Sequence, residues 1–253
     1  MDKTSRQSRE FLHYRLEADA LCLGERIRGS IFHPCLAVLT YTALGGALKA
    51  RFPRPYRTIH AAGRFLRDGG TGILPVRDKT ESDPNGLAAM GETPMPRSQV
   101  LSSQVSQFNA RELLTFAPRD RGREVSTLPL QIEYLANVRA EVFVFRNDFT
   151  ADWPDEFTIQ MGAMRSKGFG HCRLTRIGAV PCAQQPQRGQ LACRLPEDDA
   201  VKDAFGIRTV ESPVYGYLFK PDTGGTGHYV RSYFEGTRLL ADPVILQSEE
   251  NGR

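Results

Sequence analysis

The 253-residue sequence has little cysteine, a single tryptophan and no long uninterrupted apolar run. Its five cysteines are odd in number and include no C-x-x-C pair, which argues against a disulfide framework and against a zinc site. The longest strongly apolar stretch, 34–48, is interrupted by threonines and glycines and is shorter than the roughly 20 residues that cross a bilayer. No apolar segment of signal-peptide length follows the polar first ten residues. We therefore expect a cytoplasmic protein with no membrane span, metal or cofactor.

Charge is present in an ordinary amount but is unevenly placed along the chain. The formal net charge is only +4, yet residues 26–67 contain eight basic residues and no acidic one. Residues 162–178 form a second block with four basic residues and again no acid. If the fold brings the two blocks together, they form a positive surface able to hold a polyanion, and nucleic acid is the first ligand to consider. The alternative is that these charges are spread over a solvated surface.

The first sixty residues predict a strand, a turn and a helix. Apolar and charged residues alternate over Phe11–Leu23, as expected of a strand with one buried face. Glycines follow, and Pro34 is then suited to the first turn of a helix with a regular apolar stripe. Pro53 ends this predicted helix, because proline cannot continue the hydrogen-bonded backbone.

The middle of the sequence predicts mostly strands. Phe108–Phe116 reads as a strand or short helix, Leu128–Leu135 and Val138–Phe145 as strands, Pro154–Met161 as a short helix, and the segment from His171 as a strand. The resulting order of strand, helix, strands, helix, glycine-rich loop and strand is an α+β arrangement. It is compatible with a ferredoxin-like βαββαβ unit.

Two further segments differ from this core. Residues 68–97 are rich in glycine and proline without a sustained period and read as a surface insertion or linker. Residues 179–253 hold strand candidates at Val214–Phe219, Tyr229–Phe234 and Val244–Leu246, a glycine-rich hairpin connection, and an acidic cluster that suits the start of a helix. The predicted organisation is a core at 8–67 and 98–178, an insertion at 68–97 and a strand-rich C-terminal extension at 179–253.

The most informative segment is the glycine-rich loop, which we define as residues 161–170 with the sequence MGAMRSKGFG. Its glycines allow a positive φ and a close approach of the backbone to a ligand, while Arg165 and Lys167 supply positive charge. This combination suits a phosphodiester backbone. Phe169 lies between two glycines, where its ring either stacks on a base or fills the core of a tight loop.

The loop and its flank, GAMRSKGFGHCRL, resemble the glycine-rich loop of the CRISPR-associated RAMP superfamily, whose members are built on ferredoxin-like (RRM-like) RNA-binding domains. The segments IRGSIFHPCLAVLTYTALGGALKARF and SPVYGYLFKPDTGGTGHYVRSYFEGT are similar to the first turn and helix and to the strand-rich tail of such members. More than eighty residues follow the loop, a layout that resembles the subunit capping the 5′ handle of the guide RNA in type III effector complexes. The resemblance implies a subunit for antiviral defence that binds CRISPR guide RNA and contacts the large subunit and the backbone subunits.

The resemblance also implies which residues contact RNA. In the glycine-rich loop the matching positions are Gly162, Arg165, Ser166, Lys167, Gly168, Phe169 and Gly170. In the N-terminal part they are Arg28, Gly29 and Ser30 at the turn, and Lys49 and Arg51 at the end of the predicted helix. The turn lacks the lysine that commonly follows it in the superfamily, so handle binding is expected first at the loop. We expect the loop to lie beside the basic N-terminal part, so that one continuous groove holds the RNA.

A non-catalytic RNA-binding subunit is the leading interpretation of the sequence. The first alternative is a metal-independent endoribonuclease that processes CRISPR precursor RNA, which needs a general base, usually histidine, beside a cation. His60 is the best candidate for this base because Arg57 and Arg64 flank it. The second alternative is a scaffold subunit that holds other proteins together through protein contacts.

Overall fold

The computed structural model of the chain describes residues 9–24, 32–53, 58–67, 70–71, 110–116, 130–147, 149–221 and 227–247. These residues form an α+β fold in which strands far outnumber helices, as the sequence predicts. Apart from Gly70 and Thr71, the predicted insertion at 68–97 lies outside the described residues.

The described residues fall into a mixed N-terminal part and a strand-rich C-terminal part. The N-terminal part contains β1 (Glu10–Leu21), β2 (Phe32–His33), α1 (Tyr41–Arg51), β3 (Ala61–Arg67), β4 (Gly70–Thr71), β5 (Ala110–Phe116), β6 (Leu130–Phe145), β7 (Glu156–Gln160) and β8 (His171–Pro181). The C-terminal part contains β9 (Gln187–Gln190), β10 (Leu195–Pro196), α2 (Asp199–Ala204), β11 (Thr209–Ser212), β12 (Tyr215–Pro221), β13 (Gly227–Tyr233) and β14 (Arg238–Ala241).

An eight-stranded sheet organises the N-terminal part. Its main path runs β4-β3-β6-β1-β8-β7, and neighbouring strands on this path are antiparallel. β1 pairs with one edge of β6, and β3 and β5 pair end to end with the other edge. β2 forms a short parallel pair beside the start of β6. The sequence predicts two strands where the structure has the single strand β6, which continues through Asn137 at a φ of +50°.

One face of the sheet packs against α1. Leu12, Tyr14 and Leu16 of β1 are buried in this core together with Leu44 and Leu48 of the helix. The intervening β1 residues point to the opposite face, so the alternation predicted for this strand is confirmed. The helix therefore fixes which face of the sheet remains available to solvent or to the C-terminal part.

The helix begins later than the sequence predicts. Its N-cap is Thr40, whose side-chain oxygen accepts a hydrogen bond from the Ala43 N–H at 3.2 Å. The predicted start at Pro34 is wrong because two backbone groups that such a helix would use internally bond to another chain segment. The Tyr41 N–H donates to the Arg194 carbonyl at 3.0 Å, and the Leu39 carbonyl accepts from the Arg194 N–H at 3.3 Å. The helix ends just before Pro53, as predicted.

The C-terminal part packs on one end of the opposite face. Phe11, Ala62 and Phe143 of the sheet share a buried core with it, and the Phe11 ring stacks on the Phe205 ring with centroids 5.7 Å apart. Toward the other end of β1 this face carries polar side chains, including the exposed Arg15. The sheet thus has one covered end and one polar end, and the glycine-rich loop lies at the polar end.

Two short segments differ from their predicted structure. Pro154–Met161 is predicted as a helix, but it contains strand β7, in which Phe157 and Ile159 are buried and the residues between them are exposed. Apolar residues at every second position form one buried face on a strand. On a helix the same spacing would not give an apolar stripe. Val244–Leu246 is predicted as a strand but lies mainly in a 3₁₀ turn, where the Asp242 side chain accepts from the Val244 N–H at 3.1 Å.

The C-terminal part contains two three-stranded sheets, ordered β10-β13-β12 and β11-β14-β9. β12 and β13 pair antiparallel from Tyr215–Tyr233 to Pro221–Gly227, which confirms the predicted hairpin. The acidic cluster begins α2, with Asp198 as the N-cap. The Asp198 carboxylate accepts hydrogen bonds from the Ala200 and Val201 N–H groups, as expected of an N-cap residue.

Candidate nucleic-acid interface

The glycine-rich loop is fixed to the end of β1 by backbone hydrogen bonds. The Gly170 N–H donates to the Ala20 carbonyl at 2.9 Å, and the Ala163 N–H donates to the Cys22 carbonyl at 2.8 Å. The loop is also closed on itself, because the Met161 N–H donates to the Gly170 carbonyl at 2.9 Å. These bonds involve no side chain, so the position of the loop depends on its backbone conformation.

Two of the loop glycines are required by this geometry. Gly170 has a φ of +79°, and a Cβ built on it would lie 1.9 Å from the Met161 carbonyl oxygen. Gly162 has a φ of +84°, and a Cβ there would lie 2.4 Å from the Cys22 carbonyl oxygen. Both positions combine a left-handed backbone with a backbone neighbour, so only glycine fits without a shift of the chain.

The tip of the loop presents two cations on a short turn. Arg165–Lys167 form a 3₁₀ turn between two left-handed residues, Met164 at a φ of +55° and Gly168 at +91°. Arg165, Ser166, Lys167 and Gly168 are all exposed. Within the described part of the chain, Arg165 forms no ion pair. The tip is thus an exposed basic turn on a backbone platform, which suits a phosphate group.

Phe169 does not share this exposure. Its side chain is 6% exposed and packs with the buried Cys22 and Ile132. The Tyr134 ring meets it edge to face at a centroid distance of 5.1 Å. The ring anchors the loop to the sheet, so the structure favours the core interpretation of Phe169 and offers a base no exposed ring face.

The rest of the second basic block is divided between the two faces of the sheet. Arg173 lies on the polar face and binds Glu17 at 2.9 Å, where Arg139 also approaches the same carboxylate at 3.7 Å. Arg176 lies on the other face, opposite Tyr14, because side chains three residues apart on a strand point to opposite sides. Its guanidinium donates to the Tyr14 hydroxyl at 3.0 Å and to the Trp153 carbonyl, so this cation supports the core.

The first basic block is only partly described. Arg28, Gly29 and Ser30, predicted to contact RNA, lie outside the described residues. The chain that leads to them is described as far as Gly24, and its residue Cys22 contacts the loop. Arg64 of this block binds Glu141 at 2.9 Å on the covered end of the sheet, so it is a structural cation.

Lys49 and Arg51 lie at the exposed C-terminal end of α1, away from the loop tip. The next residue, Phe52, stacks on Trp153 and meets Phe157 edge to face, with centroids 4.3 Å and 5.0 Å apart. Phe157 lies near the start of β7, whereas the loop begins after the end of this strand. The strand geometry puts the start of the loop about 13 Å from Phe157. The helix end therefore lies toward the start of β7, and the loop lies at the other end of this strand.

Lys49 instead lines a groove between α1 and the C-terminal part. This groove has a volume of about 490 Å³, and His60, Lys220 and Arg231 also line it. Lys220 and Arg231 are not among the site residues predicted from the sequence, although Arg231 alternates with Tyr229 and Tyr233 in the predicted hairpin. The basic residues of the helix end and of the hairpin thus meet across a tertiary contact.

His60 is held in this groove by one described hydrogen bond. Its Nδ1 lies 3.1 Å from the Tyr41 hydroxyl. Burial lowers the pKa of His60 below its ordinary value, against the opposing charge of Asp198. A neutral imidazole beside Lys49 has the composition of a general base site, although its Nδ1 is engaged by tyrosine.

The described residues form neither a metal centre nor a membrane-spanning helix. Among them, no group of three or more His, Cys, Asp and Glu side chains is arranged to hold a metal ion. Cys172 and Cys193 are buried, and burial raises the pKa of each thiol to about 12. No helix in the described ranges is long and apolar enough to cross a membrane.

No protein-family model matches this sequence, and no curated protein matches it significantly. Among solved structures, the chain is similar to a chain of the Type III-B Cmr-beta complex bound to cognate target RNA and AMPPnP, state 1, with a TM-score of 0.55 and 10% sequence identity. The likeness covers 90% of this chain and 86% of the other. The chain shares the fold of a Cmr-beta subunit. A second structure, of Cmr-beta bound to cognate target RNA, has a TM-score of 0.49 at 11% identity.

This likeness confirms, at the level of the fold, the resemblance predicted from the sequence. The likeness covers 90% of this chain, and the part that it leaves out is shorter than the C-terminal part. The shared fold therefore includes strands of the C-terminal part as well as the eight-stranded sheet. At 10% identity it concerns the path of the chain, and the roles of individual side chains rest on their own geometry.

Proposed function

We propose that this chain is a non-catalytic RNA-binding subunit of a CRISPR effector complex, and that its glycine-rich loop grips the repeat-derived 5′ handle of the guide RNA. The fold shared with a Cmr-beta chain supports its place in a type III complex. Its partners are then the guide RNA, the large subunit and the backbone subunits, in the cytoplasm. The observation that carries the RNA contact is the exposed basic turn Arg165–Lys167 on its fixed platform.

The topology supports a ferredoxin-like core for this subunit. The strands β8, β1, β6 and β3 are adjacent in that order, and α1 connects β1 to β3, which leaves β6 between two parallel strands. This order matches the split βαβ arrangement of the ferredoxin-like unit, which supports the proposal. The second helix of that unit is replaced here by the edge strand β7 and the loop. The replacement places the loop beside β1, at the polar end of the sheet.

The chemistry of the loop tip suits a phosphodiester better than a neutral ligand. Arg165 and Lys167 supply charge, and the Ser166 hydroxyl and the exposed backbone around Gly168 supply hydrogen-bonding groups. Contacts of this kind fix the register of a strand without reading its bases. Their affinity comes mainly from release of counterions, which makes it depend on salt.

The test is RNA binding by the variant Arg165→Ala/Lys167→Ala, measured by filter binding across a salt series. We expect weaker binding, by about tenfold for each charged side chain removed. The slope of log K against log salt should fall in magnitude by about 1.4, since each phosphate contributes roughly 0.7 for a single strand. Thermal unfolding should be unchanged because both side chains are exposed.

A matched control removes the same charge elsewhere. Arg188 and Lys202 lie in the C-terminal part and pair with Glu211 and Asp199. Arg188→Ala/Lys202→Ala should retain both the affinity and the salt slope of the wild type. Equal losses of affinity in the two double variants would show that net charge, and not the loop, holds the RNA. An unchanged loop variant would remove the loop from the interface.

The alternative of a processing endoribonuclease is favoured by the position of His60 in a groove with Lys49 and Lys220. Incubation with precursor RNA in EDTA separates the two functions. Discrete products that disappear in His60→Ala would establish the enzyme, whereas intact RNA supports the binding subunit. The scaffold alternative predicts assembly with partner proteins that survives nuclease treatment and removal of the loop cations.

A further inference from the structure

The β12–β13 hairpin presents several exposed aromatic side chains on one face. β12 is the edge strand of its sheet, and its residues pair directly across from those of β13. One face of the hairpin turns inward, where Leu218 is 5% exposed and Ser232 is fully buried. The other face carries the alternate residues and is partly open to solvent. We call this second face the outer face of the hairpin.

The outer face carries an unusual density of exposed aromatic rings. Tyr215, Tyr217 and Tyr229 are 45%, 65% and 59% exposed, and Phe219 meets Tyr229 edge to face at 5.5 Å between centroids. Alternate residues on one strand are about 6.6 Å apart, so the rings form a row along the hairpin. Large exposed apolar groups gathered in one place mark a binding surface more often than chance.

One cation lies among the rings, and two more side chains that carry positive charge when protonated lie on the inward face of the hairpin. Arg231 shares the outer face: its guanidinium lies 3.8 Å from the centroid of the Tyr215 ring, and Glu197, which follows β10, binds it at 3.2 Å. Lys220 pairs with His228 on the inward face, and the described strands contain no acidic residue. Arg231 and Lys220 both line the groove, so the rings adjoin a basic surface. Rings beside cations suit a nucleic acid, whose bases stack on the rings while its phosphates meet the cations.

We infer that the outer face is a stacking platform for unpaired bases of single-stranded RNA, with Tyr217 and Tyr229 as its two most exposed rings. The inference rests on the proposed function in taking RNA as the ligand, and it assigns a second contact away from the glycine-rich loop. The other hairpin face borders the groove of Lys49 and His60. A bound strand therefore passes from an aromatic surface to a basic groove.

The experiment compares two double variants of the whole chain. Tyr217→Ala/Tyr229→Ala removes the rings, and Tyr217→Phe/Tyr229→Phe keeps them while removing only the hydroxyls. The probe is a single-stranded RNA that carries the repeat-derived handle and the adjoining guide sequence. Loss of one stacked base should raise Kd by about 5- to 150-fold in the alanine variant. The phenylalanine variant should bind like the wild type.

The salt series separates this surface from the loop. Removing rings should weaken binding by the same factor at every salt concentration, because every phosphate interaction remains in place. Removing Arg165 and Lys167 should reduce the salt slope. If the alanine double variant unfolds, the single variant Tyr217→Ser, at the most exposed ring, takes its place.

The possible results decide between the two sites. Normal RNA affinity in the tyrosine-to-alanine variants, with a weakened loop variant, overturns the stacking platform and leaves the proposed function intact. The opposite pattern supports the platform and removes the loop. An equal loss of affinity in the phenylalanine variant overturns the platform, because the rings are then not what binds. Normal RNA affinity together with failed assembly assigns the surface to a protein partner and also overturns it.

Discussion

Replacing Gly170 by alanine tests whether the loop is held as the structure shows. The matched control is Gly168→Ala, since Gly168 also has a positive φ but a Cβ there would meet nothing within 4 Å. Both variants place an L-residue in a left-handed conformation, which costs about 1–2 kcal/mol. Only Gly170→Ala also drives a Cβ to 1.9 Å from the Met161 carbonyl oxygen.

The clash at Gly170 cannot be relieved by a side-chain rotation, because both groups are backbone. The chain must move, and the hydrogen bonds of Gly170 with Met161 and Ala20 are then strained or broken. Each bond contributes a net of about 1 kcal/mol. We therefore expect Gly170→Ala to lower the free energy of unfolding by roughly 3–4 kcal/mol, against roughly 1–2 kcal/mol for Gly168→Ala.

Thermal unfolding measures this difference directly. For a domain of 150–250 residues, 1 kcal/mol corresponds to about 2–4 °C in Tm. Gly170→Ala should thus lower the Tm by about 6–16 °C and Gly168→Ala by about 2–8 °C, with Gly170→Ala always the larger. Equal Tm values for the two variants would show that the loop is not held against β1 through Gly170. The argument that a fixed backbone presents the basic turn Arg165–Lys167 would then fail.

Two further substitutions test the packing and the charges around the site. Phe169→Ala should cost about 3–5 kcal/mol in unfolding experiments because it empties a buried position, whereas Phe169→Leu should retain stability and RNA affinity; a Leu variant that is stable but no longer binds RNA would instead reveal base stacking. The contact with His13 and the charge of Arg64 hold the pKa of Glu141 below its ordinary value. Its stabilisation is present above the unfolded pKa of about 4.3 and is lost as pH falls through the lower folded pKa, so Tm should fall less steeply between pH 6 and 3 in Glu141→Gln; parallel profiles would contradict this.

The elements that the sequence predicts well are those whose burial pattern is local. β1 and β8 show alternation because each has one face against the core, and a period of two is visible without knowing the partner strands. The same signal is present in Pro154–Met161, where Phe157, Ile159 and Met161 alternate with polar residues. The proline suits the first turn of a helix there, but the short length and the pairing with β8 decide for a strand.

The start of α1 shows how two local signals compete. Pro34 suits the first turn of a helix, but Thr40 is also a favourable N-cap, and only one of them can begin the helix. The choice is made by tertiary bonds: the Arg194 backbone bonds to the Tyr41 N–H and to the Leu39 carbonyl, which a helix from Pro34 would need for its own hydrogen bonds. A residue distant in the sequence therefore fixes this boundary, and a local pattern carries no information about it.

The candidate site likewise contains features that the sequence predicts and features that depend on tertiary contacts. The loop glycines were predictable, because glycine is the residue that tolerates positive φ. The separation of Arg176 from Arg173 also follows from a strand prediction, because side chains three residues apart point to opposite faces. The meeting of Lys49 and Lys220 at one groove was not predictable, since it depends on how the C-terminal part packs against α1.

The distance between the glycine-rich loop and the groove lined by Lys49 and Lys220 determines the length of RNA that the proposed function needs to engage both. The loop bonds to Ala20, whereas His60 in the groove precedes Ala61, which is level with Leu12 through β6. Eight residues of β1 separate these levels, or about 26 Å along the sheet. Under the proposed function, a short RNA should therefore engage one surface at a time. A longer strand should engage both, with the second contact forming at the high effective concentration of a tethered ligand.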